Sequence, residues 1–480
     1  MHSFVSRVPI LALAFGLLTS SQSQAQMQCA CPLLAVGELD GSRAGALTDL
    51  SGLHYRLENN EPANLLGGLG SALAYAGGNS FLALPDRGPN ADTFDLAIDN
   101  TASYINRFHT ITMNLAPNPS GAALPFTLTP TLRATTLLWS LTPLVYGNGQ
   151  GLGVGSGKPP VNNFLQHFFT GRSDNFDPNH NSGDPNDARF DTEGMRMSND
   201  GLSVFISDEY GPYVYQFNRL TGVRVRSFQL PSSFYVDNLS PVGANEISGN
   251  TSGRTANKGM EGLAITPDGR TLVGIMQAPL IQDNNAGATK LLRIVTIDIL
   301  SGHVTHQYAY LLTKGTGVSE ILALNNHEFL VDERDGKGRE TNNGDPGDNA
   351  KVKQLFKIDL ANAVDVSAMD GPTAAMNPVP KSTIPFLDIV AVLTANGIQA
   401  FDVPSKIEGI AFGPDVKQGS TTYHTLWVAN DNDFLINTKD PDGNPLLNPS
   451  QFFVFGVTDA DLEGSTFVPQ HLTGLALLGL

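Results

Sequence analysis

Only two cysteines, Cys29 and Cys31, occur in 480 residues, so no disulfide framework can hold this chain together. A bridge across one intervening residue closes too small a loop to stabilise a fold of this size, and the pair reads as free thiols in an N-terminal tail. Neither Cys-x-x-Cys nor His-Glu-x-x-His occurs, which removes the common zinc patterns. Charged residues make up only 16% of the chain, and 29 basic side chains face 46 acidic ones, a formal net charge of −17. Phosphate backbones are held by clustered Lys and Arg, so a nucleic-acid-binding surface is excluded. A Gly-x-Ser-x-Gly elbow is missing as well. The stretch Gly151–Lys158 fails as a phosphate loop, with Leu152 in the place of its first glycine and Pro159 where a Ser or Thr should ligate Mg²⁺.

Long apolar runs are scarce too. The one at the N-terminus, Val8–Leu18, follows Arg7 and precedes the small-residue exit Ser23-Gln24-Ala25. This is the pattern of a secretory signal peptide over residues 1–25, too short for the roughly 20 apolar residues of a membrane span. It predicts a soluble mature protein in the periplasm or the medium, with residues 26–48 as an N-terminal tail.

What the chain does have is turn-forming residues, 49 Gly and 30 Pro, and internal similarity. The segments Asp191-Thr-Glu-Gly-Met195, Gly259-Met-Glu-Gly-Leu263 and Lys406-Ile-Glu-Gly-Ile410 read as three copies of one unit. Each leads through a turn into a β-rich run, Ser203–Ile206, Thr271–Gly274 or Thr425–Val428, and then into a third strand. A degenerate fourth copy runs from Val318-Ser-Glu-Ile321 through Glu328–Arg334 to Gln354–Asp359. A fifth has Gly70-Ser71 in the Glu-Gly place, and Asp49–Leu53 opens a sixth. The glutamates at 193, 261, 320 and 408 are spaced more widely than the usual ~40–50-residue blade, so long loops are inserted. This grammar predicts an all-β propeller over residues 49–460, six-bladed, with a surface insertion at about 148–187 and a C-terminal strand or tail over 461–480.

In a propeller, residues repeated at the start of each innermost strand become neighbours across the axis. Asp191, Glu193, Glu261, Glu320 and Glu408 would form a ring, with Asp86, Asp208, Glu209, Asp332, Glu333, Asp431 and Asp433 on adjacent strand ends. Like charges held close raise one another's pKa and oppose folding unless a cation neutralises them. An all-oxygen donor set in loops suits Ca²⁺. The plainer alternative is that each repeated Glu caps backbone amides in its own blade. Arg87, Arg107, Arg196, Lys258, Arg334 and Lys406 accompany the acids, and a mixed rim of this kind can hold a phosphate, or simply pair with the neighbouring carboxylates.

The segments Leu84-Pro-Asp-Arg-Gly-Pro-Asn90, Asp191–Met195, Ser207-Asp-Glu-Tyr-Gly-Pro212, Asn257–Leu263, Gln277-Ala-Pro-Leu280, Val331-Asp-Glu-Arg334 and Lys406–Ile410 together resemble the phytase-like domain family, often described as having esterase-like activity. The resemblance implies a six-bladed propeller whose acidic residues bind calcium and phosphate. On it, Asp191, Glu193, Glu261 and Glu408 are the candidate catalytic groups and Arg87, Lys258, Arg334 and Lys406 the phosphate-binding ones. Asp86, Asp208, Glu209, Glu320, Asp332, Glu333 and Asp431 are the candidate metal ligands. The third copy carries Met276-Gln277 where its neighbours carry acids, so the ring is incomplete. The expectation is a monomeric, exported, calcium-associated phosphoester hydrolase acting on an anionic or phosphorylated small molecule. The alternatives are a non-catalytic ligand- or protein-binding propeller and a calcium-supported lactone or carboxylester hydrolase.

Overall fold

The computed structural model describes residues 28–39, 48–89, 96–147, 156–340, 345–435 and 437–478. The expected signal peptide, the start of the 148–187 insertion and most of the Gly151–Lys158 stretch lie outside these residues.

Strands separated by Asp-Gly, Gly-Pro-Asp and similar turns fold back on one another into antiparallel sheets, as the alternating pattern requires. Among the described residues five such sheets form, four of four strands and one of four strands in line with a short fifth, Val416–Gln418, at its side; they are numbered here as blades by the chain order of their innermost strands. Blade one contains Ala72–Tyr75, Ser80–Leu84, Arg107–Pro117 and Phe126–Leu137. Blade two contains Thr192–Met197, Ser203–Asp208, Tyr213–Asn218 and Arg224–Gln229. Blade three contains Met260–Ile265, Thr271–Met276, Leu291–Asp298 and Val304–Leu311. Blade four contains Gly317–Ala323, Glu328–Arg334, Lys353–Asp359 and Leu387–Asp388. Blade five runs outward from Lys406–Phe412 through Thr421–Asp431 and Ser450–Val457, and its outermost strand, Leu33–Leu39, comes from the N-terminus. That strand pairs antiparallel with Ser450–Val457, from Leu33 opposite Phe455 to Leu39 opposite Ser450, and so ties the two ends of the chain together. The propeller therefore begins at Leu33, inside the stretch expected to be a tail.

Each innermost strand packs against the next, and the fifth packs against the first, so the ring closes at five blades rather than six. The segment expected to open a sixth is a loop. Asp49 pairs with the buried Arg107 of blade one, and Leu53, Leu57 and Leu65 pack with Tyr104, Phe168 and Phe434. Asp49-Leu-Ser-Gly-Leu53 imitates the repeat locally but among the described residues belongs to no sheet, the nearest pairing being the isolated bridge of Thr48 with Leu65.

The cysteines also depart from expectation. Cys29 and Cys31 are joined, with Cα atoms 5.2 Å apart, and both are buried against blades four and five. The amide of Cys29 donates to Phe386 O, which docks the segment ahead of the closing strand.

Apolar side chains fill the spaces between blades, for example Phe81 of blade one against Trp427 of blade five, with ring centroids 4.6 Å apart. The C-terminal segment crosses the face opposite the strand ends that carry the acids. Val468 N donates to Leu324 O, His471 N to Pro267 O and Thr473 N to Asn199 O, which links the loops of blades four, three and two. Midway along the axis Arg196 donates to Leu73 O, Met195 O and Ile321 O and pairs with Glu320, and on its far side it lines a separate pocket with Leu73, Ile265, Leu322 and Phe412.

Candidate functional site

The repeated Glu-Gly pair has two separate physical causes. In blades two, three and five the strand register shifts at that pair, a β-bulge that turns the glutamate toward the axis. The glycine lets adjacent innermost strands touch: a Cβ on Gly194 would stand 2.6 Å from Leu263 N, and one on Gly409 2.8 Å from Leu73 N. Glu193, Glu261 and Glu408 consequently converge on one mouth of about 100 Å³ together with Asp86, Glu209, Asp431 and Asp433, and with the cations Arg87, Arg334 and Lys406.

Two groups of three carboxylates stand out, each with ligand oxygens within 4.8 Å of one another and every member buried. Asp86, Asp431 and Asp433 form the first. Asp86 and Asp431 each end a second strand in a tight turn, accepting from Gly88 N at 2.9 Å and Asp433 N at 2.8 Å. The ammonium of Lys406 is already seated here, on Asp433 and at 3.4 Å from Asp431. Burial depresses its pKa, but Asp433 and Asp431 overcome that and hold it well above the usual lysine range.

The second group is Asp191, Glu193 and Glu209 on blade two. Among the described residues its one cation contact is Arg87, 2.8 Å from Asp191 Oδ2, and Asp191 Oδ1 is buried with no partner among them. Burial, then Glu261, Asp191 and Glu209, push Glu193 well above the carboxylate range. Burial, then Asp191, push Glu209 up to about 7, and burial, then Glu209 and Glu408, push Glu261 well above the carboxylate range. Across the mouth Arg334 bridges Glu408 at 2.5 Å and Glu261 at 3.7 Å.

Five of the predicted residues lie elsewhere. Glu320 is one register position out: in blade four Ser319, not Glu320, occupies the bulge that Glu261 occupies in blade three. A one-residue slip reverses side-chain direction, so Glu320 points down the channel to Arg196 and accepts from Leu263 N and Ile321 N. Asp208 spends both oxygens on the amides of Asp191, Tyr210 and Gly211. Asp332 accepts from Ser319 Oγ behind the mouth. Glu333 faces outward, capping the amides of Thr313, Lys314 and Gly315 and pairing with Lys381. Asp208 and Glu333 thus satisfy turn amides, a role considered above for the repeated glutamates. Lys258 is exposed and outside the mouth.

Two residues that sequence reasoning passed over line the mouth. Asn257, at φ 54°, accepts from Arg87, and Gln277 donates to Glu261 Oε1 at 2.7 Å. Gln277 marked the third copy as deficient, yet it supplies a neutral donor where a further acid would add repulsion.

Burial pushes Asp86, Glu209, Glu408 and Asp431 each up to about 7. Groups with raised folded-state pKa values bind more protons folded than unfolded, so stability is greatest below the unfolded pKa and falls as pH climbs toward 7. Metal-free protein should therefore melt higher near pH ~5 than near pH ~8. Thermal unfolding in chelator across that range checks this, and a flat or rising profile would contradict it.

Comparison with known proteins places this geometry in context. The family described as "Phytase-like: Esterase-like activity of phytase" matches residues 64–434, which include every residue of the mouth. An "Uncharacterized secreted protein" of Arthroderma benhamiae is 31% identical over 179 residues, 30% of this chain and 34% of that one. The chain thus spans about a third of the length of that curated relative. Among solved structures, the Dos1 propeller is 10% identical with a TM-score of 0.27, covering 86% of this chain and 72% of that one. A gluconolactonase from Xanthomonas campestris is 11% identical with a TM-score of 0.28, covering 91% and 98%. No helix among the described residues is long and apolar enough to cross a membrane.

Proposed function

This chain belongs to the phytase-like family, and on that premise we propose that it is an exported, calcium-associated phosphoester hydrolase working at the acidic channel mouth. The carrying observation is the inventory of that mouth: seven buried carboxylates and three partly buried cations. Left alone, such a mouth would repel an anionic substrate, and a bound divalent cation would offset part of that excess negative charge and offer an anion a local positive centre.

The donor set fits calcium. Every candidate ligand is a carboxylate oxygen, and the Asp191–Glu193–Glu209 group retains an unpartnered buried oxygen, whereas Lys406 fills the Asp86 group. Asp191, Glu193 and Glu209 are thus assigned to the ion, two of them residues that the sequence suggested as catalytic. When bound, calcium would offset negative charge on the reacting phosphoryl group and make a water more acidic.

The remaining roles fall to the chain's own groups. Arg334, with its fork turned to the mouth between Glu261 and Glu408, and Arg87 orient phosphate oxygens, since guanidinium makes paired contacts to them. Lys406 adds positive charge from the opposite wall. Glu408, pushed up to about 7 by burial although Arg334 pulls it down, holds a proton that a departing alkoxide oxygen can take. Export is supported by the N-terminal apolar pattern and by the secreted relative.

The test is turnover by the purified mature chain on a phosphomonoester, a phosphodiester and a carboxylester, with calcium and with chelator. The expected result is phosphoester hydrolysis that disappears in chelator and returns with calcium. Carboxylester hydrolysis alone, or no turnover of any ester, would remove the reading.

A further inference from the structure

The two acid groups of the mouth grow from the same repeat, and one position in that repeat carries opposite charge in them. Two residues ahead of the repeated glutamate stands Asp191 in blade two and Lys406 in blade five. Asp191 joins Glu193 and Glu209 in a group of three buried carboxylates, whose cation contact among the described residues is Arg87, from the loop after Ser80–Leu84 of blade one. Lys406 instead lies opposite Asp431, its cross-strand partner in blade five. Its ammonium rests against Asp433 and 3.4 Å from Asp431, inside the group those two form with Asp86.

In ligand chemistry the two groups match: each offers three carboxylate oxygens within 4.8 Å of one another, and all six residues are buried. Three like charges held that close need a counter-charge, whether an ion or a side chain supplies it. In blade five the chain supplies its own. An ammonium is a compact point charge with three donors, and the strand register delivers it to two of the three carboxylates. The space between oxygens that close admits one cation centre and not two, because a second cation would be repelled at contact distance. The lysine side chain is only 22% exposed, so it can vacate that place only by giving up both ion pairs.

We propose that Lys406 is a built-in counter-ion standing in for a second divalent cation, so that the mouth takes its ion at blade two alone and the charge at this one repeat position decides which blade holds a metal. In calling the blade-two ion calcium, the inference rests on the reading of the mouth as a calcium-associated site. Its consequence is a mouth only half dependent on metal. Chelator strips blade two, while the acids of blade five keep a counter-charge that is covalently attached.

The test is ion stoichiometry rather than turnover, by calorimetry and equilibrium dialysis with calcium chloride on the full mature chain. Lys406→Met, which keeps an apolar stem and removes the ammonium, should bind about one calcium ion more per chain than wild type, and adding Asp433→Asn to it should abolish the gain. Thermal melts give a second readout: in chelator Lys406→Met should melt below wild type, with three buried carboxylates left uncompensated, and calcium should raise its melting temperature by more than that of wild type. Equal ion counts in wild type and Lys406→Met would overturn the inference. Should Lys406→Met yield no folded chain, the wild-type count decides: an ion lost in Asp433→Asn alone overturns the inference, and a count unchanged by Asp433→Asn supports it. Ion counting needs no catalysis. A chain that gains an ion in Lys406→Met but hydrolyses no ester would keep the counter-ion and lose the hydrolase, and a gain from none to one would keep the counter-ion and remove the ion from blade two. A calcium-dependent phosphoesterase whose ion count ignores Lys406 would do the reverse.

Discussion

Replacing Glu193 with glutamine should lower calcium-dependent phosphoester turnover by about a hundred- to a thousandfold while leaving the protein at least as stable as before. The two halves have separate causes. Glutamine keeps the shape of the side chain but removes one of the three convergent charges of the Asp191–Glu193–Glu209 group, and stabilisation of developing charge by a held cation is worth several kcal/mol of barrier, with a tenfold in rate per ~1.4 kcal/mol. Stability moves the other way, because Glu193 is buried among Glu261, Asp191 and Glu209, which push its pKa well above the carboxylate range. Removing that charge relieves repulsion. Steady-state kinetics at saturating calcium, calcium calorimetry and a thermal melt on the same variant check this. A rate that falls only with the melting temperature would make Glu193 a structural residue, and an unchanged rate would move the cation away from blade two.

The largest effect on stability should come from Arg196→Met. Its guanidinium makes hydrogen bonds of 3.0, 2.7 and 2.9 Å to carbonyls of blades one, two and four, and stands 3.0 Å from Glu320. Removing one partner of a buried ion pair typically costs about 3–5 kcal/mol, because the other is left uncompensated. Glu320, already pushed up to about 7 by burial against the pull of Arg196, would rise further. Glu320→Gln in the same chain should restore part of the loss, since an amide oxygen can still accept from Leu263 N and Ile321 N. Urea unfolding of the two single variants and the double variant measures the coupling. A loss below about 1 kcal/mol, within the range of exposed pairs, would mean that the axis is held by strand packing alone.

The parts of the site legible in the sequence are those where one residue type recurs for a reason that acts on every blade. Glu193-Gly194, Glu261-Gly262 and Glu408-Gly409 could be read as inward-facing because the same pair recurs at one place in three copies of the unit, and at each the glycine admits the neighbouring innermost strand. Glu320 could not be placed that way. Val318-Ser-Glu-Ile321 offers no glycine to anchor the alignment, and a slip of one residue exchanges the mouth for the interior. Asp208 and Asp431 look equivalent, and each does close a turn with its own oxygen. What separates them is whether oxygens remain after the local amides are satisfied, a question of three-dimensional neighbours.

The same division explains the blade count and the cysteines. Alternation and turn residues specify strands, and recurrent strand triplets specify a propeller, since both depend on interactions within about ten residues. Closure depends on how many innermost strands fit around the axis and on which distant strand completes the last sheet. Leu33–Leu39 has no local signal tying it to Ser450–Val457, so it read as a tail, and the pairing that seats Cys29 and Cys31 went unseen with it. The sequence by itself determined an all-β propeller of the phytase-like family with acids and bases gathered at one end. Only tertiary structure decided which carboxylates share a cation-sized space and where Lys406 has already taken that place, because each of these turns on contacts between blades far apart in the chain.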